Sequence, residues 1–482
     1  MMEASSKDMT RMPATARLVD VPNEETIVPI HALRPDSWET VQSSLSPAQS
    51  TYAQSRGFVA EAGQIIFLPS ETGEVAGVLL GCGALDADYD REMRLGQLSA
   101  RQTGGYYKLA SRPEDWSIRL ASIAWGLGTY RFTDYLKETP DVPVLVLDES
   151  LDVDAIADTI AATALGRDLI NIPASDMGPD ALHKAAQDVA DQYDASISAI
   201  VGDDLLEQNY PMIHAVGRAA YEAPRLVEIE WGDPSHPRLA ILGKGITFDT
   251  GGVNMKSAAG ARLMKKDMGG AAHALALSSM IMAARLPIRL HCLLAIAENS
   301  VSGNAFRPGD VLPSRAGLSV EIDNTDAEGR LVLGDALVKA TESDPVLMID
   351  FATLTGAARV ALGPQLPPFF TNRPHLHDLV TKHGETELDP IWPMPLWQPY
   401  HAMLRSPIAD MKNAGGSFAG AVTAALFLER FVDNRPWMHF DVYGWNPTSR
   451  AGHPKGADIY AVRALFSWLA SGGLNTPMDR AE

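Results

Sequence analysis

The stretch PRLAILGKGITFDTGGVNMK, Pro237 to Lys256, decides how most of this chain is read. RLAIL is a short unbroken apolar run, which is how a strand buried on both faces reads. It leads directly into a loop carrying glycines 243, 245, 251 and 252, which let the backbone turn tightly and bring polar groups close to a ligand. Lys244 and Asp249 therefore emerge at the carboxyl end of a strand. The same alternation continues downstream. Gly269 to Arg285 reads as a helix, RLHCLLAIA as a strand, SVEI as a short strand and Gly329 to Ser343 as a helix. PVLMIDFA, the helix Gly420 to Val432 and the strand WMHFDVYG follow. Buried strands alternating with helices predict an α/β fold with a mostly parallel sheet flanked by helices. Sites in such sheets gather at the carboxyl ends of the strands.

Upstream, QIIFL from Gln64, EVAGVLLGC from Glu74 and VPVLVLDE from Val142 read as strands, with a helix over Arg119 to Tyr130. They predict a smaller N-terminal α/β domain over residues 26–165, without a His, Cys or carboxylate cluster suited to metal. Asp152 to Leu165 reads as a helix with Ile156 and Ile160 on one side. The turn-rich RDLINIPASDMGP, Arg167 to Pro179, marks the boundary to a second domain over 166–482. Residues 1–25 lack periodicity and are rich in Ser, Thr, Pro and charge, so a flexible arm is expected there.

A chain of 482 residues, 46% hydrophobic, fits about two domains. Its formal net charge of −20 argues against a duplex-binding protein, which needs a cationic surface to displace counterions. The two cysteines, Cys82 and Cys292, sit in apolar runs and read as buried free thiols, which suits a reducing compartment. No secretory signal is recognised at the N-terminus. The longest apolar region, His273 to Ala297, is broken by Arg285, Pro287 and Arg289, so no membrane span is expected. These features together predict a cytoplasmic protein with neither membrane nor nucleic acid as partner.

Three loops carry the chemistry. The first is the glycine loop with Lys244, Asp249 and Lys256. The second, MKKDMGGAAHALAL, places Asp267 before a Gly-Gly turn and a helix, where an Asp serves either as a helix cap or as a ligand. In the third, EIDNTDAEGRLVLGDAL, Asn324, Asp326, Glu328 and Arg330 crowd one turn before a helix, beside Asp323. The plain reading of the third loop is a solvated turn with capping acids. Apolar strands flank all three, however, which should bring them to one sheet edge. Gathered carboxylates repel and raise one another's pKa unless a cation is present. Divalent metals supply that charge, and two of them can share bridging carboxylates. A phosphate-binding P-loop does not fit, because Gly245 follows Lys244 where Ser or Thr is required. Histidine zinc motifs are absent, and Gly415-Gly416-Ser417-Phe418-Ala419 lacks the second glycine of a nucleophilic serine elbow.

NTDAEGRL, Asn324 to Leu331, is identical to the signature of the leucyl aminopeptidase (cytosol aminopeptidase, M17) family. GKGITFDTGG, KDMGGAA, AENSVSGNAFRPGDV and ATLTGA also resemble its pattern. The resemblance runs from about 165 to 470 and is strongest from 240 to 360. It implies a metal-dependent exopeptidase that releases N-terminal amino acids by hydroxide attack at a two-metal centre. By this resemblance Asp249 and Glu328 bridge two divalent ions, Zn or Mn. Asp326 completes one site, and Lys244 and Asp267 complete the other. Lys256 polarises the scissile carbonyl and Arg330 positions a bicarbonate. Met264, Thr353 and Gly356 line the pocket for the first residue, which Met264 suggests is Leu, Met or another apolar side chain. The resemblance also implies peptide substrates and a homo-hexamer. Two stretches depart from the family's pattern: AVGRAA around Gly217, and HFDVYGWNPTSRAGHPKGADIY, where bulky Tyr443 and Trp445 follow Asp441. Two other classes stand beside this one: a different two-metal hydrolase such as a phosphoesterase, with Lys256 and Arg330 as its clamp, and a non-enzymatic binding or architectural role.

Overall fold

The computed structural model describes residues 15–17, 21–22, 25–87 and 90–478. It divides into two compact units. One comprises residues up to Ala164 together with Thr448–Lys455; the other comprises Leu165–Pro447 and the chain from Gly456 onward. The short return of Thr448–Lys455 to the first unit has no signal in the sequence.

The first unit holds a six-stranded sheet built from β1 (Thr15–Arg17), β2 (Ile27–Leu33), β3 (Ile65–Pro69), β4 (Val75–Gly81), β5 (Tyr106–Ser111) and β6 (Val144–Leu147), in the order β1-β6-β5-β2-β4-β3. All neighbours are parallel except β3 and β4. Strand β1 falls inside the segment expected to be a loose arm. Its three residues find a partner in the otherwise open edge of β6, a gain no local pattern in Thr15–Arg17 announces. Most of the rest of that arm lies outside the described residues. Leu33, Trp38, Phe58, Leu68 and Leu79 form a small core in which the Trp38 and Phe58 rings meet edge to face at 4.8 Å.

The second unit is organised by an eight-stranded sheet. Its strands are β7 (Ser196–Val201), β8 (Arg225–Trp231), β9 (Arg238–Asp249), β10 (Arg289–Asn299), β13 (Leu347–Ala352), β14 (Pro368–Thr371), β15 (Trp392–Pro393) and β17 (Trp437–Asp441). Two of the intervening strands, β11 (Val311–Pro313) and β12 (Ser319–Glu321), join β16 (Met411–Lys412) in a separate small sheet. The large sheet runs β15-β14-β17-β13-β9-β10-β8-β7. Its centre, β17-β13-β9-β10, is parallel, and β8, β7 and β14 pair antiparallel at the flanks. Residues 239–247 of β9 are buried without interruption, and so is all of β13, because helices cover both faces.

The helix Gly269–Ala283 presses onto the sheet so closely that only glycine fits at the contact. A Cβ at Gly270 would lie 2.2 Å from the Phe351 carbonyl oxygen, and one at Gly243 would lie 2.5 Å from Ala271 Cα. This approach sets the carboxyl ends of β9 and β13 beside the turn that carries Asp267. Among the described residues no helix is long and apolar enough to cross a membrane.

Candidate active site

Four central strands end at one edge of the sheet, and each delivers polar groups there. Asp249 is the last residue of β9 and Asn299 the last of β10. Thr353 follows β13, and Asp441 ends β17. Lys244 projects from within β9, five residues before Asp249. The short helical turn Met264–Met268 carries Asp267, and the turn before helix Gly329–Thr341 carries Asp326 and Glu328.

The three loops do converge. Asp249, Asp326 and Glu328 each offer a carboxylate oxygen, and these oxygens lie within 4.8 Å of one another. The Lys244 ammonium sits 2.8 Å from Asp267 Oδ2 and 2.9 Å from Glu328 Oε1. Lys256 lies 2.7 Å from Asp249 Oδ2 and also pairs with Asp326. Gly329 leaves room for the Lys244 stem, since a Cβ there would fall 2.6 Å from Lys244 Cε.

Two ammonium groups thus face four carboxylates in a largely buried site. Burial works against the charge on Lys244, but Asp267, Glu328 and Asp249 outweigh it and hold the lysine above its ordinary range. Lys256 is raised in the same way by Asp249 and Asp326. Burial raises Asp267, but Lys244 and then Lys266 outweigh it and hold that carboxyl below its ordinary range, whereas the other carboxylates are short of positive charge. Burial, and then the charge of Asp249, push Glu328 up to about 7. Burial, and then the charge of Asp267, push Asp249 up to about 6. Glu328 Oε2 is buried without a hydrogen-bond partner, and Glu328 Oε1 and Asp267 Oδ2 meet Lys244 at ion-pair distance without hydrogen-bond geometry. Unsatisfied buried oxygens of this kind carry a desolvation cost that a bound cation would relieve. The donor set fits divalent metal.

A second layer of neutral side chains holds the loops together. Asn299 Nδ2 donates to Asp249 Oδ1 at 2.8 Å and to the Thr325 carbonyl at 3.1 Å. Thr325 Oγ1 donates to the Gly251 carbonyl at 2.7 Å and accepts from Asn254 N at 2.8 Å, which ties the glycine loop to the Asp326 turn. Gly251 and Gly252 adopt φ of 87° and 62° there, a turn that a side chain would strain. Asn413, next to β16 and fully buried, accepts from the backbone N–H of Asp323 and Asn324 and donates to the Asn324 carbonyl. Its own carbonyl accepts from Arg330 Nη1 at 2.7 Å, while Arg330 Nε is buried without a partner.

The residues expected to line a substrate pocket stand beside this cluster. Met264 opens the turn that carries Asp267 and is half-buried. Thr353 Oγ1 donates to Asp267 Oδ1 at 2.7 Å, so it braces a carboxylate as well as facing the site. Gly356 is exposed at the first position of helix Gly356–Leu362. Asn299, Thr325, Asn413 and Asp441 were not singled out from sequence. Asp441 accepts from the N–H groups of Leu354 and Thr355 and from the Thr355 hydroxyl, fixing the turn after β13. Asn299 lies within the quoted AENSVSGNAFRPGDV, yet an Asn there reads as an ordinary loop residue.

A parallel-centred α/β sheet with a nest of carboxylates and lysines at its carboxyl edge is the kind of site a hydrolase carries. The chain belongs to the cytosol aminopeptidase family: residues 164–466 match that family's catalytic domain, and residues 28–148 match the M17 aminopeptidase N-terminal domain. It is similar to the probable cytosol aminopeptidase of Syntrophotalea carbinolica, 34% identical over 89% of this chain and 93% of that one. Over 71% of this chain and 74% of the other, it is 40% identical to the probable cytosol aminopeptidase of Roseiflexus castenholzii. Among solved structures, the cytosol aminopeptidase of Coxiella burnetii superposes with a TM-score of 0.88 at 41% identity, covering 93% of this chain and 98% of that one. The bottromycin maturation enzyme BotP in complex with Mn superposes with a TM-score of 0.82 at 31% identity, covering 92% and 99%. The chain is therefore a peptidase of the aminopeptidase type, acting on peptides from the N-terminus.

Proposed function

We propose that this exopeptidase works with two divalent ions, Zn or Mn, held by Lys244, Asp249, Asp267, Asp326 and Glu328. The observation that carries the reading is the oxygen cluster of Asp249, Asp326 and Glu328, with Glu328 Oε2 buried and unsatisfied. Asp249 and Glu328 are central enough to serve both ions. Asp326 would complete one site, and Asp267 with Lys244 the other. As a ligand Lys244 has to be neutral, so binding displaces the proton that its carboxylate neighbours now hold on it. Such ions, when bound, supply the positive charge that acidifies water and polarises a peptide carbonyl.

The chain's own groups do the rest. Lys256 stands between Asp249 and Asp326 with part of its side chain open to solvent, placed to donate to the oxyanion that develops on the scissile carbonyl. Arg330 is held by the Asn413 carbonyl and keeps a buried, unused Nε donor, which suits a small anion such as bicarbonate. Met264, Thr353 and Gly356 border the space for the first residue, and Met264 taken alone favours Leu or Met. The family's name and the two buried free thiols, Cys82 and Cys292, support a cytoplasmic setting.

The test combines metal content with cleavage. Purified protein should carry up to two divalent ions per chain and release Leu from Leu-amide, and a chelator should abolish that release. N-acetyl-Leu-amide should not be cut. Full activity in metal-free protein would reject the two-metal reading, and cleavage of a phosphoester instead of Leu-amide would favour the phosphoesterase class.

A further inference from the structure

Of the two lysines before Asp267, only one has a conventional partner. Lys265 donates to the Asn171 carbonyl and lies over the Trp445 ring. Lys266 is 5% exposed, and among the described residues its ammonium makes no hydrogen bond and no ion pair. The Tyr443 ring lies against it, with its centroid 4.8 Å away. A second cation meets the same ring. Arg359 Cζ is 5.0 Å from the centroid, and Arg359 Nη1 is 3.3 Å from the Tyr443 hydroxyl. The neighbouring carboxylates of Asp267 and Asp441 offset part of the Lys266 charge, while the Asp441 oxygens themselves accept from Leu354 N, Thr355 N and the Thr355 hydroxyl. A buried ammonium is costly without a counter-charge, and cation–π contact offsets only part of that cost.

These groups are attached to all three positions assigned to the first-residue pocket. Lys266 shares its turn with Met264. Arg359 reaches back toward Gly356, its Nη2 lying 4.0 Å from where a Cβ would stand on that glycine. Gly444, next to Tyr443, packs on Thr353, whose Cγ2 is 3.4 Å from the corresponding point. Two cations and a phenol therefore stand next to the positions assigned to the pocket, and Met264 does not set the character of that region alone.

We infer that Lys266, Arg359 and Tyr443 form an anion-recognising subsite for the side-chain carboxylate of an acidic N-terminal residue, so that the enzyme selects Glu or Asp over the isosteric amides. This rests on the exopeptidase reading above, and it replaces the apolar preference that Met264 suggests. Gln has the shape of Glu without its charge, so comparing the two isolates the electrostatic part.

The experiment measures kcat/KM of the metal-loaded enzyme on Glu-amide, Gln-amide and Leu-amide, substrates that carry no C-terminal carboxylate. Glu-amide should exceed Gln-amide by roughly tenfold, the scale of one charge-assisted hydrogen bond. Lys266→Met and the more exposed Arg359→Gln should each pull the ratio toward one, and Lys266→Arg should keep it above one. Gln-amide cut as well as Glu-amide, or a ratio untouched in both Lys266→Met and Arg359→Gln, overturns the subsite and leaves the exopeptidase standing, provided that Leu-amide is still cut. If none of the three amides is cut, the exopeptidase reading fails. Calorimetric titration with free glutamate and glutamine then decides the subsite by itself: tighter glutamate supports it and equal binding rejects it. A gain for Leu-Gly over Leu-Gly-amide, with none for Glu over Gln, would assign the cations to a peptide's C-terminal carboxylate and also overturn the proposal.

Discussion

Lys256 and Asp267 lie in one electrostatic network, yet they should answer differently to removal. Lys256 is a cation among anions. Deleting it leaves Asp249 and Asp326 with less positive charge, and so with more need of a metal. Lys256→Ala should keep its divalent ions, counted by atomic emission, while turnover falls about 10²–10³-fold, the scale for loss of one oxyanion donor. Asp267→Ala removes a buried anionic oxygen and leaves Lys244 one counter-ion fewer, so both metal and turnover should go. Equal metal depletion in the two variants would overturn the role given to Lys256. The charged members of this network were readable from the sequence because acids and lysines are gathered in three short loops that follow or precede apolar elements, and their spacing matches a family signature. The neutral ones were not. Asn299, Thr325 and Asn413 act through hydrogen bonds between segments far apart in the chain, and a single Asn or Thr looks the same whether it spans two loops or faces water.

Among elements, those buried on both faces were the legible ones. β9, β10, β13 and β17 appear in the sequence as mostly apolar runs because helices cover both sides of the sheet centre. Other strands were missed for physical reasons. β7 has no fully buried residue and so reads as polar surface. β14 begins on Pro368 directly after Pro367, a pair that signals a turn. β2 contains Pro29, yet its ladder with β4 starts at Ile30, so the missing N–H costs that pairing nothing. The helix Gly269–Ala283 carries a consequence of deep burial that can be measured. His273 has no exposed surface. Its Nδ1 lies 2.6 Å from the Gly269 carbonyl and so holds the proton, and its Nε2 accepts from Tyr460 N. Burial lowers its pKa from 6.5 to about 4. Between those values the unfolded chain binds a proton that the folded chain refuses, so stability falls as the solution is acidified through that window and is unaffected by this group above it. From pH 7 to pH 5 the loss from His273 alone is roughly 2 kcal/mol, at 1.36 kcal/mol per pKa unit. Urea unfolding of His273→Gln should show a correspondingly flatter acid limb, whatever its stability at pH 7. An acid limb as steep as that of the parent would mean that His273 takes up its proton in the fold.

At the scale of the whole molecule the open question is self-association. A homo-hexamer is the assembly implied by the family resemblance, and exposed apolar side chains of the catalytic unit are candidates for burial in it. Val360, Trp392, Trp397, Ile408 and Phe418 are among those exposed, with Phe418 at 79% and Val360 at 82%. Single exposed apolar side chains are ordinary, but Trp and Phe are enriched where subunits meet. With a formal net charge of −20 per chain, association also gathers like charge, so the buried apolar area has to outweigh a repulsion that salt screens. Light scattering at micromolar concentration should therefore give a mass near six times the 51.9 kDa of the chain, and raising the ionic strength should not dissociate it. Trp397→Glu puts a further charge on that surface and should move the distribution toward smaller species if this face is buried between subunits. A stable monomer for the parent protein would reject the hexamer. A parent hexamer that is insensitive to Trp397→Glu would keep the assembly and move its interface elsewhere.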